Sequence, residues 1–436
     1  MQPPASSSPR HDPYAALRIP SYQAYTVGWV AAIFGQQMAS VALGWDVYHR
    51  TGSTMSLGWV GLVQALPVIL LALPAGHIAD RFDRRRVVIV MQVLNAICAA
   101  ALAYISYKQL PVAYIYAVLG LGATAAATGG PSRSALLPQI VPTGIFSNAV
   151  AWNSSFFQMA SVIGPAAGGF LLRHSAWFVY LLDAALAMGF AFSMLAITLR
   201  PIEGARKEPA NLRTLTEGVR FVWNNQIILA TITLDLFAVL LGGAVFLLPV
   251  FADRLGVGTT GLGWLRAAPA VGAVAMAVLV NHLPPMKNAG RSMLLAVAGF
   301  GAATIVFGLS PWFWLSLVAL LLTGAFDQVS VVVRHTLVQV LAPDAMRGRV
   351  SAVNNVFIGA SNELGGFESG LTARLFGPVA SVVGGGIGTI VVVIAAAMAW
   401  PQLRTFGSLH DAKPIEQDEP RGFEVIEKQP PMSAEE

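Results

Sequence analysis

Residues 133–173 read RSALLPQIVPTGIFSNAVAWNSSFFQMASVIGPAAGGFLLR, and residues 334–374 read RHTLVQVLAPDAMRGRVSAVNNVFIGASNELGGFESGLTAR, so the second stretch repeats the first without a gap. Arg133 matches Arg334, Leu136 matches Leu337, Pro142 matches Pro343, Asn153 matches Asn354, Gly164 matches Gly365, Gly169 matches Gly370 and Arg173 matches Arg374, always 201 positions on. One offset held over this length marks a chain whose halves are copies of one design. Each copy carries a long apolar segment, and two similar bundles of membrane helices joined in the middle form an alternating-access architecture. Movement of a solute is expected, rather than chemistry on one.

Outward from the repeat, the whole chain is apolar: 55% of its 436 residues are hydrophobic and 11% charged, with a mean hydropathy of +0.63. That composition excludes an ordinary soluble domain. A helix needs ~20 apolar residues to cross the hydrocarbon, and twelve stretches qualify: 25–48, 56–78, 87–107, 111–130, 147–172, 176–199, 226–250, 260–281, 291–309, 312–333, 350–373 and 378–400. The expected fold is all-α, twelve transmembrane helices in two pseudo-symmetric six-helix bundles, residues 23–199 and 226–400. Residues 1–22 are polar and proline-rich and read as a tail, the first span serving as its own insertion signal. Residues 200–225 form the linker between halves, in which Leu212, Leu215, Val219 and Val222 at helical spacing oppose Arg213, Glu217 and Arg220, the pattern of an amphipathic interfacial helix. After Trp400 the chain turns acidic and polar, so 401–436 reads as a disordered tail.

The net charge of +5 is explained by its placement. With both termini on one side, the connections on that side hold Arg81, Arg84, Arg85, Arg86, Arg200, Arg206, Lys207, Arg347 and Arg349, whereas the opposite loops hold little beyond Arg50, Lys108, Arg173, Arg254 and Arg374. The positive-inside rule then puts both termini in the cytoplasm. Topology accounts for the basic balance, and nucleic acid is not an expected partner.

The connection between the second and third spans reads Gly76-His77-Ile78-Ala79-Asp80-Arg81-Phe82-Asp83-Arg84-Arg85-Arg86. It resembles the signature loop of the major facilitator superfamily, Gly-x-x-x-Asp-Arg-x-Gly-Arg-Arg/Lys, which lies between the same two helices. Asp83 departs from the pattern, where glycine is usual. The resemblance implies a conformational latch in which Gly76, Asp80, Arg81, Arg84 and Arg85 hold the second span against the start of the eleventh, near Arg349 and Val350. At the same offset in the second half Asp80 becomes Asn281, so an asymmetric latch is expected. In the fifth span Gly164, Pro165, Gly168 and Gly169 resemble the Gly-Pro-x-x-Gly-Gly motif of exporters and antiporters in this superfamily; tight helix packing by small residues would serve equally. Residues 131–142 and 342–350 look like the bacterial subgroup containing the enterobactin exporter and macrolide efflux proteins. The resemblance covers residues 17 to about 400 and implies a monomer in the bacterial inner membrane.

Ionisable groups inside the membrane are costly unless paired or wetted, which makes each a candidate site. Asp235 and Glu363 lie deepest in their spans. Desolvation favours a neutral carboxyl, so either acid is a candidate for proton coupling, against the alternative of a carboxyl held by a neighbouring arginine. Asp327 and Arg334, seven residues apart on one helical face, are expected to pair with each other, with Arg133 or with Asp80 in a cytoplasmic charge network. Asp46, Asp183 and Arg266 count as nearer the outer surface and of lesser functional weight. Gln36, Gln37, Asn153, Gln158 and Asn354 join the two deep acids as candidate cavity residues, with Phe34, Phe156, Phe157, Phe237 and Phe357 as apolar lining.

No Gly-x-x-x-x-Gly-Lys-Ser/Thr loop occurs, so transport is expected to be secondary. The seven histidines and the single cysteine, Cys98, form no metal-ligand spacing, and no nucleophile and base pair is visible. No cofactor, metal or enzymatic activity is expected. The expected partners are a small-molecule substrate, protons and membrane lipid. The leading expectation is proton-coupled efflux of an amphipathic drug or siderophore. A lipid or lysolipid flippase is the alternative, and a non-transporting membrane partner or sensor ranks below both.

Overall fold

A computed structural model describes residues 12–200, 212–284 and 286–408. Among these the chain is helical, with no strand. Fifteen α-helices follow in order: α1 Pro20–Thr51, α2 Thr54–Arg81, α3 Arg84–Tyr107, α4 Val112–Ile140, α5 Phe146–Leu171, α6 Ala176–Ser193, α7 Leu212–Asn224, α8 Gln226–Leu241, α9 Leu248–Arg254, α10 Gly258–His282, α11 Ala289–Leu309, α12 Phe313–Leu341, α13 Asp344–Phe376, α14 Pro378–Ala399 and α15 Pro401–Thr405. Among the described residues ten segments are long and apolar enough to cross a membrane. α5 and α13 have spanning length, 26 and 33 residues, but are more polar than those ten. These two helices carry the internal repeat.

Local chemistry sets the boundaries. Gly52, at φ +60, closes α1 in the left-handed conformation that glycine adopts without penalty. Asp83 caps α3 by accepting a bond from the Arg86 amide at 2.9 Å, and Asn225 caps α8 by accepting one from Ile228 at 3.2 Å. An uninterrupted seventh span over 226–250 does not form. Gly242 and Gly243 end α8, a 3₁₀ turn occupies Ala244–Leu247, and α9 resumes one residue before Pro249. Successive glycines followed by a proline favour such a break.

Two departures concern the tails. The N-terminal tail was expected to reach residue 22, yet α1 starts at Pro20, Tyr22 is fully buried, and Asn148 and Trp152 both donate to the Pro13 carbonyl. The C-terminal tail was expected from 401, yet Leu403 is fully buried and the Ala289 amide donates to Gly407 at 3.0 Å. Apolar and aromatic side chains in these segments find core partners, which the polar average of each tail conceals. Residues 1–11, 201–211 and 409–436, where the remaining tail and linker expectations fall, lie outside the described residues.

The packing repeats between halves. α1 packs on α5 and α6, α2 on α4, and α3 on α4 and α6; in the second half α8 packs on α13 and α14, α10 on α12, and α11 on α12 and α14. The halves meet along two seams, α2 with α13 and α5 with α10. Glycines make both seams close. A Cβ at Gly169 would fall 2.5 Å from the Thr259 carbonyl oxygen and 2.6 Å from Gly263 Cα, and one at Gly370 would fall 2.5 Å from Gly58 Cα. Within each half, Gly164 and Gly168 seat α5 on Gln37 and Met38 of α1, while Gly365 seats α13 on Val239 and Leu240 of α8. The repeated stretch is therefore the segment that must fit its own half on one side and the opposite half on the other.

The termini of the described chain, the α2–α3 connection and α7 share one end, here termed the linker end. At the far end one apolar cluster draws on both halves, uniting Val41, Leu57, Leu102 and Val179 with Leu247, Phe251, Leu265 and Phe307. Toward the linker end the core divides. Tyr22, Leu136 and Phe190 belong to a cluster of the first half, and Ile228, Val333 and Val353 to one of the second.

Candidate functional site

Between the halves lies a cavity of about 590 Å³. The first half supplies most of its lining. The first half contributes Gln36 and Gln37 from α1, Gln64 from α2, Gln92 and Asn95 from α3, Arg133 from α4 and Asp183 from α6; the second contributes the apolar Val245, Phe246, Leu248, Pro249 and Leu262 together with Arg266 of α10 and Glu363 of α13. Each half thus sets a cation and an acid among apolar side chains, Arg133 with Asp183 in the first and Arg266 with Glu363 in the second, and the first half adds the amides.

Arg266 and Glu363 are opposite charges lining the same wall of the cavity. Arg266 also reaches the Val245 carbonyl at 3.4 Å, in the turn between α8 and α9. One oxygen of Glu363, Oε2, is buried with no hydrogen-bond partner among the described residues. Gly61 of α2 lies against the Glu363 backbone, where a Cβ would fall 2.5 Å from its carbonyl oxygen. The acid consequently sits on the α2–α13 seam, with a backbone from each half beside it.

Asp235 stands apart from this cavity. It is 4% exposed and forms an ion pair with Arg334, itself 3% exposed, inside the second half. The expected pairing of Arg334 with Asp327 is not formed, because α8 brings Asp235 to the guanidinium first. Arg133, the copy of Arg334, makes no ion pair among the described residues; its guanidinium carbon lies 5.8 Å from the centre of the Trp29 ring.

Of the candidate cavity residues, Gln36, Gln37 and Glu363 line the cavity, and Phe157 does so among the aromatics. Asn153, Gln158 and Asn354 are not among its lining residues. Asn153 accepts a bond from the Tyr22 hydroxyl at 2.9 Å, and Asn354 is 2% exposed within the second half. Polarity in a span located these side chains on interior faces, but the interior of a six-helix bundle and the space between two bundles look alike in sequence. Asp183 and Arg266 were underweighted. Arg266 lies eight residues into α10, roughly 12 Å along the helix at ~1.5 Å per residue, deep enough to have signalled a cavity position.

At the linker end the residues of the expected latch occupy several contacts. Arg84 donates to the Ala135 carbonyl at 3.2 Å and Arg85 to that of Leu195 at 2.5 Å, tying the start of α3 to α4 and to the turn after α6. Arg81 is exposed. Gly76 and Asp80 belong to α2, but their side-chain surroundings lie outside the described residues. Arg349 pairs with Glu217 of α7 at 2.5 Å, which fastens the linker helix to α13. At the far end His49 of α1 meets Asp253 of α9 across the halves at 3.5 Å and stacks on Trp45 with ring centres 3.7 Å apart.

Comparison with known proteins agrees with this architecture. A family model described as transmembrane secretion effector matches residues 11–426. The multidrug efflux pump Tap of Mycolicibacterium fortuitum is 26% identical over 370 residues, 80% of this chain and 87% of that protein. The enterobactin exporter EntS of Escherichia coli O1:K1 / APEC is 26% identical over 391 residues, 89% of this chain and 93% of that protein. Among solved structures, the occupied inward-facing bacterial homolog of the human lysosomal transporter Spinster superposes with a TM-score of 0.70 at 14% identity, covering 91% of this chain and 98% of that one. The xylose transporter XylE from E. coli superposes with a TM-score of 0.62 at 13% identity, covering 92% and 99%.

Proposed function

The chain belongs to the transmembrane secretion effector family of the major facilitator superfamily, and from that premise we propose that it is a secondary active exporter of amphipathic small molecules, coupled to protons and working by alternating access. It is a multi-pass membrane transporter, and its relatives include a multidrug pump and a siderophore exporter. A drug-like or siderophore-like cargo is the class in view. The observation that carries the proposal is the cavity between the halves, where amides and charged groups stand among apolar side chains and beyond which the halves share a single core. Such a space suits a molecule with both polar and apolar faces.

Glu363 is the coupling carboxyl in this proposal. It lines the cavity, touches the seam along which the halves must move, and faces Arg266, so its proton and the arginine can compete for the same charge. Asp235 is assigned to structure, since Arg334 already neutralises it away from the cavity. The linker end is assigned to the cytoplasm on the excess of arginine there, in a bacterial inner membrane. Gly76, Asp80, Arg81, Arg84, Arg85 and Arg349 form the cytoplasmic latch, and Arg349 exchanges its present partner Glu217 for the end of α2 when that side closes. Gly164, Pro165, Gly168 and Gly169 keep α5 close enough to both neighbours to slide without opening a gap.

Reconstitution in vesicles with an imposed pH gradient tests the proposal, using a panel of dyes, macrolides and catecholate siderophores. Gradient-driven movement is expected for wild type and for a stable variant at Asp235, and loss of gradient dependence for Glu363→Gln with cargo exchange retained. Gradient-driven transport by Glu363→Gln at the wild-type rate would remove the coupling assignment. Movement between leaflets without release to the medium would favour a lipid flippase.

A further inference from the structure

The two copies of the repeat treat one arginine differently. Arg334 is neutralised by Asp235 and sealed inside the second half. In the first half the same offset puts Phe34 where the acid would stand, so Arg133 has inherited the position without its counter-charge. Arg133 instead lines the cavity and lies over the face of Trp29, with no hydrogen bond or ion pair among the described residues. One further donor beside it lacks an acceptor among the described residues: the indole Nε1 of Trp29, on a residue 7% exposed that also lines the cavity.

A half-buried guanidinium facing a cavity lined largely by apolar side chains is best satisfied when an anion meets it, and stacking on an aromatic face supplies only part of that. An arginine serving topology alone would extend toward the headgroups. The cavity's other arginine, Arg266, shares its wall with the acid Glu363 and reaches the Val245 carbonyl. We propose that Arg133, with Trp29 beneath it, seats an oxyanion group of the cargo, so that the molecules exported are amphipathic organic anions. The planar fork of Arg133 suits a carboxylate, sulfonate or phosphate. The aromatic and apolar lining takes the remainder of the molecule. This inference rests on the export reading of the cavity and narrows it to one charge class.

Three probes that share one ring system test it: pyrenebutyrate, pyrenebutanol and pyrenebutyl-trimethylammonium. Binding to the full-length protein in detergent is followed by quenching of tryptophan emission, and movement of each probe is then measured in vesicles. Wild type is expected to bind the carboxylate roughly tenfold or more tighter than the alcohol, as a charge-assisted bidentate contact supplies. Arg133→Gln should bring the carboxylate down to the level of the alcohol without changing the alcohol, and Arg133→Lys should retain part of the preference. Equal wild-type affinity for all three probes, or no carboxylate binding at millimolar concentration, overturns the inference without recourse to any variant. Preference for the trimethylammonium probe overturns it too and points to Asp183. An equal loss for every probe in Arg133→Gln marks a structural arginine and likewise overturns it. Charge-selective binding with no movement of any probe in vesicles would instead count against the export reading and leave the anion seat standing. Transport blind to charge would sink the anion seat alone.

Discussion

Replacing Asp235 with asparagine should destabilise the protein far more than a neutral, nearly isosteric exchange would suggest. Arg334 is 3% exposed and Asp235 4%, so neither charge has water to fall back on. Arg334 Nε has no acceptor even with the acid present. Breaking a buried pair by removing one member costs ~3–5 kcal/mol, because the survivor remains charged and uncompensated. Removing both members at once behaves differently. Asp235→Val combined with Arg334→Met comes close to the original volume, removes both desolvation costs, and should come out neutral or up to ~4 kcal/mol more stable. Thermal unfolding in detergent, read from the ten tryptophans, should show a large fall for Asp235→Asn and recovery in the double variant. The double variant should also retain gradient-driven transport. An Asp235→Asn protein of wild-type stability that transports without responding to the gradient would refute both the structural assignment and the choice of Glu363.

Other outcomes follow from individual contacts. Gly169→Leu would press a side chain onto Thr259 and Gly263, whose atoms lie 2.5–2.7 Å from an added Cβ. It should abolish transport and destabilise by ~1–3 kcal/mol, whereas Gly189→Ala meets nothing within 4 Å and should gain up to ~1 kcal/mol; unfolding midpoints and vesicle flux check both. Asp83→Ala removes the α3 cap and should cost ~1 kcal/mol, while Asp83→Gly should cost only a few tenths, a ranking that one denaturation series can reverse. Cys98 is the only cysteine and lines the cavity, so maleimide labelling should slow when a transported molecule is present, and an unchanged rate would place the cargo elsewhere.

The helices were legible because membrane length and hydropathy leave little choice, and the repeat gave the two-bundle plan because its glycines serve two neighbours at once. The linker helix was equally readable: α7 occupies Leu212–Asn224, the stretch where apolar and charged residues separate at helical spacing. Asp83 illustrates a departure from a family pattern with a local reason, since its carboxylate supplies the cap that a glycine cannot. The site was read less well. A span's polar face can point into its own bundle or into the space between bundles, and sequence periodicity is the same in both cases. Asn153, Asn354 and Asp235 face the first environment, and Gln36, Gln37 and Glu363 the second. Gln64, Gln92 and Asn95 went unremarked because isolated amides in apolar spans carry no charge to draw attention.

The shared core at the far end and the divided core at the linker end make the molecule a balance with unequal pans. In the alternating-access cycle proposed above, tipping it the other way requires Val41, Leu57, Leu247 and Phe251 to separate while apolar faces now apart come together near the linker. A proton or a bound molecule can shift such an equilibrium only by its difference in affinity for the two states, a few kcal/mol. The two exchanges of buried surface must therefore cancel almost completely, whatever their separate sizes. Side chains in the far-end core act as counterweights: trimming Phe251 or Leu57 lightens one pan and changes how long the transporter rests on each side of its cycle.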